Sequence, residues 1–511
     1  MSANWSQPDV KKRTVKSFVD KAGALRPVLN HKPVYPKKVY CAKEMPLKEF
    51  GNYGFGRGDS AVLDFGNHYV GYLTLHLDVQ GGPADAPAFL KLKMCEYHRE
   101  LEEDSADYNG WLGKGWIQEE WLHIDEFPAV LQLPRRYALR YLKIEALDTS
   151  PNYRVQIKQV VLDSVTAAPE KKINPLTAND ALLQQIDEIC IRTLRDCMQD
   201  VFEDGPKRDR RLWLGDLRLQ AMVNGVTFQN FDLVKRCLYL FAGMTRQDGV
   251  VGSCLYAEPR MVVDNIFLLD YSLFFVSTLL DYYNVSGDIE TLRELAPTAI
   301  RQLDAAKEYL QPNGIIEPEG RYNCFIDWKD GLNKQTAMHG VWLYSLQCGA
   351  ELCRKLGENQ LAKQYEADYE QGKSAALQVL WSEDKQFFVS GEDRQISWAS
   401  QIWMCIAGVL EDHQAAELLR RTGQAENVCG MVTPYLYHHY IQALIECGEQ
   451  ERAVQEIKEY WGGMVDAGAD TFWELYNPQN PFESPYGSGI VNSYCHAWSC
   501  TPAYLLRKIQ K

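Results

Sequence analysis

The chain is 511 residues long, carries 14 cysteines and has a formal net charge of -14 at pH 7. That length exceeds one ordinary core and predicts two or three domains. Acid and base are mixed along the chain without a basic stripe, which argues against nucleic acid as a partner, and no run approaches the roughly 20 apolar residues of a membrane-spanning helix.

The first residues, Met1-Ser2-Ala3-Asn4-Trp5, contain no apolar segment of the kind a secretory signal needs. Cysteines such as Cys190 and Cys197 fall inside apolar helical stretches and read as reduced, buried thiols. Together these features predict a cytoplasmic protein. A homodimer is expected from size and class alone.

The first third of the chain has the period of a half-buried sheet. Leu73, Leu75, Leu77 and Val79 alternate with Thr74, His76 and Asp78. Residues 89–94 and 137–144 behave similarly, and Val155, Ile157, Val160 and Leu162 suggest one more strand. Clusters such as Gly81-Gly82-Pro83 punctuate them, so an N-terminal antiparallel β-sandwich is expected over residues 1–168. The polar stretch Ala167-Ala168-Pro169-Glu170-Lys171-Lys172 marks the boundary.

From residue 169 to 511 the period changes. Asn179 looks like a helix cap, and Ile186, Ile189, Thr193, Cys197 and Val201 follow at helical spacing. About twelve helical segments follow by periodicity and breakers. That number suits six helical hairpins closed into an (α/α)6 toroid, and no regular repeat period favours an open array.

Four segments carry candidate chemistry. Residues 203–216 hold Asp204, Arg208, Asp209, Arg210, Arg211, Trp213 and Asp216 in a polar loop between apolar helical runs. Carboxylates and Arg hold sugar hydroxyls, Trp stacks on a C–H face, and one carboxyl group moves a proton. The alternative is a surface charge run, which leaves Trp213 unexplained. Residues 468–476 place Glu474 between Trp473 and Tyr476, either as a functional carboxylate or as a structural ion pair. Residues 493–499 hold His496 and Trp498, and residues 324–331 hold Asp327 and Trp328. A core histidine and a simple turn with a buried Trp are the plainer readings of those two.

Other chemistries find little support. No Gly-rich phosphate loop opens a helix and no nucleophile elbow is present, and Gly487-Ser488-Gly489 reads as a flexible turn. His438 and His439 are adjacent and point apart, a poor metal pair. No metal and no cofactor are expected.

The motifs together resemble the glycoside hydrolase family 78 α-L-rhamnosidases. The family loop usually reads D-C-P-Q-R-[DE], a short charged segment, then L-G-W-T-G-D; here it reads D-G-P-K-R-D-R-R-L-W-L-G-D. Thr471-Phe472-Trp473-Glu474 is similar to the family's T-x-W-E segment, Val62-Leu63-Asp64-Phe65-Gly66 to a strand of its N-terminal sandwich, and His496 falls where the family has a sugar-binding His. Gly205 and Lys207 replace the usual Cys and Gln, and the acid position holds Asp209 where Glu is common.

The resemblance implies an exo-acting, inverting enzyme acting on small rhamnose-containing glycosides. Asp209 would be the general acid and Glu474 the general base. Asp204, Arg208, Asp216, Asp327 and His496 would hold the sugar. Trp213, Trp328, Trp473 and Trp498 would wall the pocket. Arg208 and Arg210 flank Asp209, and cations lower a carboxyl pKa; if both faced it, Asp216 would be the better acid. Another exo-glycosidase on the same toroid, or a non-catalytic carbohydrate-binding protein, stays open at this point.

Overall fold

The computed structural model of the protein describes residues 10–41, 45–170, 173–317 and 323–510. Nine antiparallel strands build the first domain: β1 (Asn30–Val34), β2 (Lys38–Cys41), β3 (Gly54–Phe55), β4 (Ser60–Gly81), β5 (Ala88–Cys95), β6 (Glu119–Ile124), β7 (Ala129–Gln132), β8 (Tyr137–Asp148) and β9 (Tyr153–Thr166). The main path runs β1-β9-β4-β8-β5-β6, with β2 and β7 also on β4 and β3 on β9.

The alternation at Leu73, Leu75 and Leu77 forms the second half of β4, where they face Leu162, Val160 and Ile157 of β9. The first half of β4 instead lies between β2 and β8. One strand therefore serves two parts of the sheet, and Leu63, Leu75, Leu90, Leu142 and Ile157 from both parts share one buried core. Two glycines permit this path. Gly66 has φ +85° at the register shift between Asp64 and Tyr69, and a Cβ on Gly71 would lie 2.1 Å from the Asp163 carbonyl oxygen.

Among the described residues twelve helices follow: α1 (Ala181–Cys197), α2 (Leu214–Val226), α3 (Phe231–Gly243), α4 (Leu269–Ser286), α5 (Ile289–Lys307), α6 (Gln335–Leu356), α7 (Asn359–Ala375), α8 (Trp398–Ile406), α9 (Asp412–Gln424), α10 (Pro434–Glu446), α11 (Gln450–Asp466) and α12 (Pro502–Ile509). The even-numbered helices touch in order, α2-α4-α6-α8-α10-α12, and α12 returns to α2, so the inner ring closes. Burial follows from place in the ring. In α4, every residue from Leu269 to Leu280 is buried, whereas the outer α7 buries only Ala362, Tyr365, Gly372 and Ala375. A helix apolar all round suits an inner position, and an amphipathic one an outer position.

The cap of α1 is Asp180, whose carboxylate accepts from the Leu183 amide at 3.0 Å; the expected cap, Asn179, lies one residue earlier. The helix ends at Cys197, so Val201 belongs to the loop beyond it. The segment Lys12–Thr14 pairs with Met244–Arg246, and the helix Lys16–Ala24 packs on α3. The chain thus touches the helical body before it enters the sheet.

Candidate active site

The loop after α1 is folded onto itself. The Asp204 carboxylate accepts from the amides of Gly205 (2.8 Å) and Arg211 (3.0 Å), and the Asp204 amide donates to the Arg211 carbonyl. Gly205 is required here, because a Cβ would meet Ser493 Oγ at 2.3 Å. Leu212–Trp213 then pairs with Cys254–Tyr256, and Trp213 caps α2, which places Asp216 in the first helical turn.

The C-terminal motifs converge on this loop through backbone bonds. Glu474 N donates to Ser493 O (3.0 Å), His496 N to Phe472 O (2.8 Å), and Ala497 N to Asp204 O (2.9 Å). Thr471 Oγ1 donates to the Tyr494 carbonyl, and Trp498 Nε1 to the Glu474 carbonyl at 3.1 Å. Segments nearly 300 residues apart in sequence are thereby set against one another.

Arg208 is the centre of the charge arrangement. Its Nη2 makes a short ion pair with Glu474 Oε2, its Nη1 lies 3.5 Å from Asp209 Oδ1, and its Nε donates to the Val491 carbonyl. The guanidinium also lies over the Tyr486 ring, 4.1 Å from its centroid. Arg210 turns away. It sits at φ +57° and donates to the Arg136 carbonyl of the β domain at 2.8 Å. Asp209 thus faces Arg208 and not Arg210, and the condition favouring Asp216 as acid is not met.

Glu474 is buried, yet its pKa is lowered. Burial pushes it up, but Arg208, His496 and the Tyr486 hydroxyl, which donates to Oε1 at 2.8 Å, outweigh that penalty. Asp204 and Asp216 move the other way. Burial raises Asp204 well above the usual carboxylate range, with Asp209 and Asp216 adding to the rise. Burial also raises Asp216, although His496 Nε2, 3.1 Å from its Oδ1, opposes the shift. Asp209 is the most solvent-facing carboxylate of the group, its side chain 20% exposed.

Two expected sugar contacts have other roles. Asp327 is buried and accepts from the Val432 and Thr433 amides, the Thr433 hydroxyl and the Trp328 amide. Its oxygens brace the start of α10 rather than face a ligand. Trp473 is only 1% exposed and packs on Tyr97 and Tyr494, so it is core and not a pocket wall. Trp328 and Trp498 stand 5.4 Å apart beside Phe325, and Trp213 meets Tyr271 edge-on, while Tyr271 in turn packs on Phe325.

The β domain contributes more than sequence reasoning found. Lys207, buried, is bound by Glu100 Oε1 (2.5 Å) and Glu96 Oε2 (3.5 Å), both buried residues near the end of β5. The Gly487 turn is packed rather than loose: Tyr486 is buried, and a Cβ on Gly489 would meet the Phe482 ring at 2.5 Å. A loop from residues 104–117 covers this side, with Tyr108, Ile117, Tyr486, Ile490 and Val491 in one apolar cluster that Trp328 joins. The Pro485-Tyr486-Gly487 tripeptide was the available signal for Tyr486, an aromatic held at a tight turn.

Among the described residues, His68, Asp196 and Cys495 bring ligand-type atoms close enough for a metal. Both ring nitrogens of His68 are already committed, to Asp196 (2.7 Å) and Glu96 (3.1 Å). Burial would lower its pKa, but Cys495, Asp196 and Glu96 hold it well above the usual value, so the group fits an imidazolium between carboxylates rather than a metal site. His438 and His439 are both buried, with His439 bound to the Tyr435 carbonyl and Arg218.

A sheet domain ahead of a closed helical ring, with paired carboxylates and aromatic walls at their junction, defines a two-domain glycoside hydrolase. Residues 31–164 match the glycosyl hydrolase family 78 alpha-rhamnosidase N-terminal domain, and residues 171–509 match the bacterial alpha-L-rhamnosidase six-hairpin glycosidase domain. The chain belongs to glycoside hydrolase family 78, the α-L-rhamnosidases. It is similar to a rhamnosidase from Klebsiella oxytoca solved with rhamnose bound, at 45% identity, covering 98% of this chain and 100% of that one, with a TM-score of 0.95. A family 78 rhamnosidase of Bacillus sp. GL1 shares the fold at 21% identity, over 97% of this chain and 49% of that one, with a TM-score of 0.73. No curated protein matches the chain. Among the described residues no helix is long and apolar enough to cross a membrane.

Proposed function

We propose that this α-L-rhamnosidase removes terminal α-L-rhamnose from small glycosides with inversion, using Asp209 as general acid and Glu474 as general base. The observation that carries the assignment is the Arg208 guanidinium lying between the two carboxylates. It holds Glu474 ionised, as a base that activates water must be. Burial raises the pKa of the neighbouring Asp204 and Asp216. Asp209 is the most solvent-facing carboxylate of the cluster, which supports it as the group that meets the leaving oxygen.

Asp204, Asp216 and His496, of which the last two meet at 3.1 Å, suit the ring hydroxyls. Trp213, Trp328 and Trp498 suit the C–H face and the C6 methyl. In the inverting geometry, water attacks from the Glu474 side as Asp209 protonates the departing oxygen, across a carboxyl separation of roughly 6.5–9.5 Å. The fourteen cysteines are all free thiols, which supports a reducing, cytoplasmic setting. The division at residues 168 and 169, and a homodimer, belong to the same proposal; sedimentation velocity tests the latter. Proton NMR of the first anomer released from an α-linked substrate tests the mechanism: β-L-rhamnose is expected, and initial α-L-rhamnose defeats inversion.

A further inference from the structure

Resting on the α-L-rhamnosidase reading above, we propose that Trp111 of the β domain is the platform of an aglycone subsite, taking the flat face of the ring next to the scissile bond. An aromatic path leads out of the site. Trp498, buried, stands 5.4 Å from Trp328; Trp328, half-buried, stands 6.0 Å from Tyr486; and Tyr486 stands 5.5 Å from Trp111, which is 60% exposed. The path begins beside Glu474, whose carbonyl accepts from Trp498, and ends at the exposed Trp111.

Trp111 is fixed at its polar end. Its Nε1 donates to the Pro485 carbonyl at 3.2 Å, and a Cβ on the adjacent Gly110 would lie 2.1 Å from the Tyr486 carbonyl oxygen, so the loop is seated directly on the Tyr486 turn. A large indole held this way, with its face left open, has little reason to be exposed except to stack. The path also reaches the reacting groups. Tyr486 donates to Glu474 and lies under Arg208, which contacts Asp209. Asp209, the acid of the proposed mechanism, is the least buried carboxylate of the site, and Trp111 is the exposed end of the aromatic path. The chemistry recognised is a ring with a flat C–H or π face, aryl or pyranosyl.

The test compares kcat/KM for three substrates: a rhamnosyl-glucose disaccharide, an aryl α-L-rhamnoside, and α-L-rhamnosyl fluoride, whose aglycone is one atom. In Trp111→Ala, at least one ring aglycone should lose about 3- to 10-fold, through KM, the range of one aromatic contact. The fluoride, and inhibition by free L-rhamnose, should stay at the wild-type level. Trp111→Phe keeps a stacking face and should retain most of the preference. Which ring substrate loses most distinguishes an aryl from a pyranosyl occupant. Equal loss on all three substrates, or loss on none, overturns the subsite. Wild-type turnover of the fluoride checks the underlying activity separately, and if it fails the rhamnosidase reading falls and the subsite with it.

Discussion

Lys207→Met should destabilise the protein by about 3–5 kcal/mol, the typical result of removing one partner from a buried ion pair. Lys207 is the cation bound to the outer oxygen of Glu100, whose other oxygen accepts from the Glu96 and Tyr97 amides. Glu96 keeps His68 and the Tyr494 amide when Lys207 is lost, but among the described residues Glu100 has Lys207 as its ion-pair partner and keeps no other. Burial already raises the Glu100 pKa against the pull of Lys207, and without that pull it rises further. A carboxyl raised in the folded state binds more protons folded than unfolded, so the variant's stability must fall as pH rises from the usual carboxylate range through the raised pKa. The deficit should therefore be largest at neutral pH and shrink on mild acidification. Urea unfolding at pH 5.5 and 7.5 reads this directly. Lys207 immediately precedes Arg208 and Asp209, so kcat should fall as well. Adding Glu100→Gln should restore part of the stability. A deficit that is absent, or the same at both pH values, refutes the reasoning.

Asp209→Asn and Glu474→Gln should each cost on the order of 10²–10⁴-fold in kcat with the fold intact; aryl rhamnosides with good leaving groups should rescue Asp209→Asn more, and equal rescue removes Asp209 from the acid role. The acid limb of the kcat/KM profile should lie below the usual carboxylate range, because Glu474 must be ionised and its pKa is lowered. Activity is then lost only as pH falls through that lowered value, and Arg208→Gln should move the limb to higher pH in the same titration. Dialysis against a strong chelator should leave the rate unchanged, since both His68 nitrogens are bound to carboxylates; activity restored by added metal would reassign the cluster.

Much of the architecture is legible in the sequence because it is local. Period-two alternation located the strands around Leu75, Leu90, Leu142 and Val160, and helical spacing with breakers anticipated the twelve helices of the ring. What sequence reasoning missed is non-local. Nothing in the neighbourhood of Glu96, Glu100 or Trp111 indicates that they reach the catalytic loop or the Tyr486 turn, because those contacts join positions more than 100 residues apart. Residue type misled twice. Trp473 adjoins Glu474 in sequence but its ring points into the core, and Asp327 has the chemistry of a sugar ligand but spends its oxygens on amides. Lys207 read as a mere departure from the family loop, while its structural meaning depends on two glutamates in another domain.

The closure of the ring by α12 against α2 has a bearing on how the enzyme comes into being. Domains generally fold from the N-terminus as the chain emerges from the ribosome. The sheet can consolidate early, but the inner wall has a gap until α12 is free of the exit tunnel. Glu474, His496 and Trp498 reach Asp204 and Arg208 only from that same late segment. A chain that has emerged only through the loop at residues 204–216 therefore carries the proposed acid without the proposed base, and the site is assembled only once the segment through α12 is free.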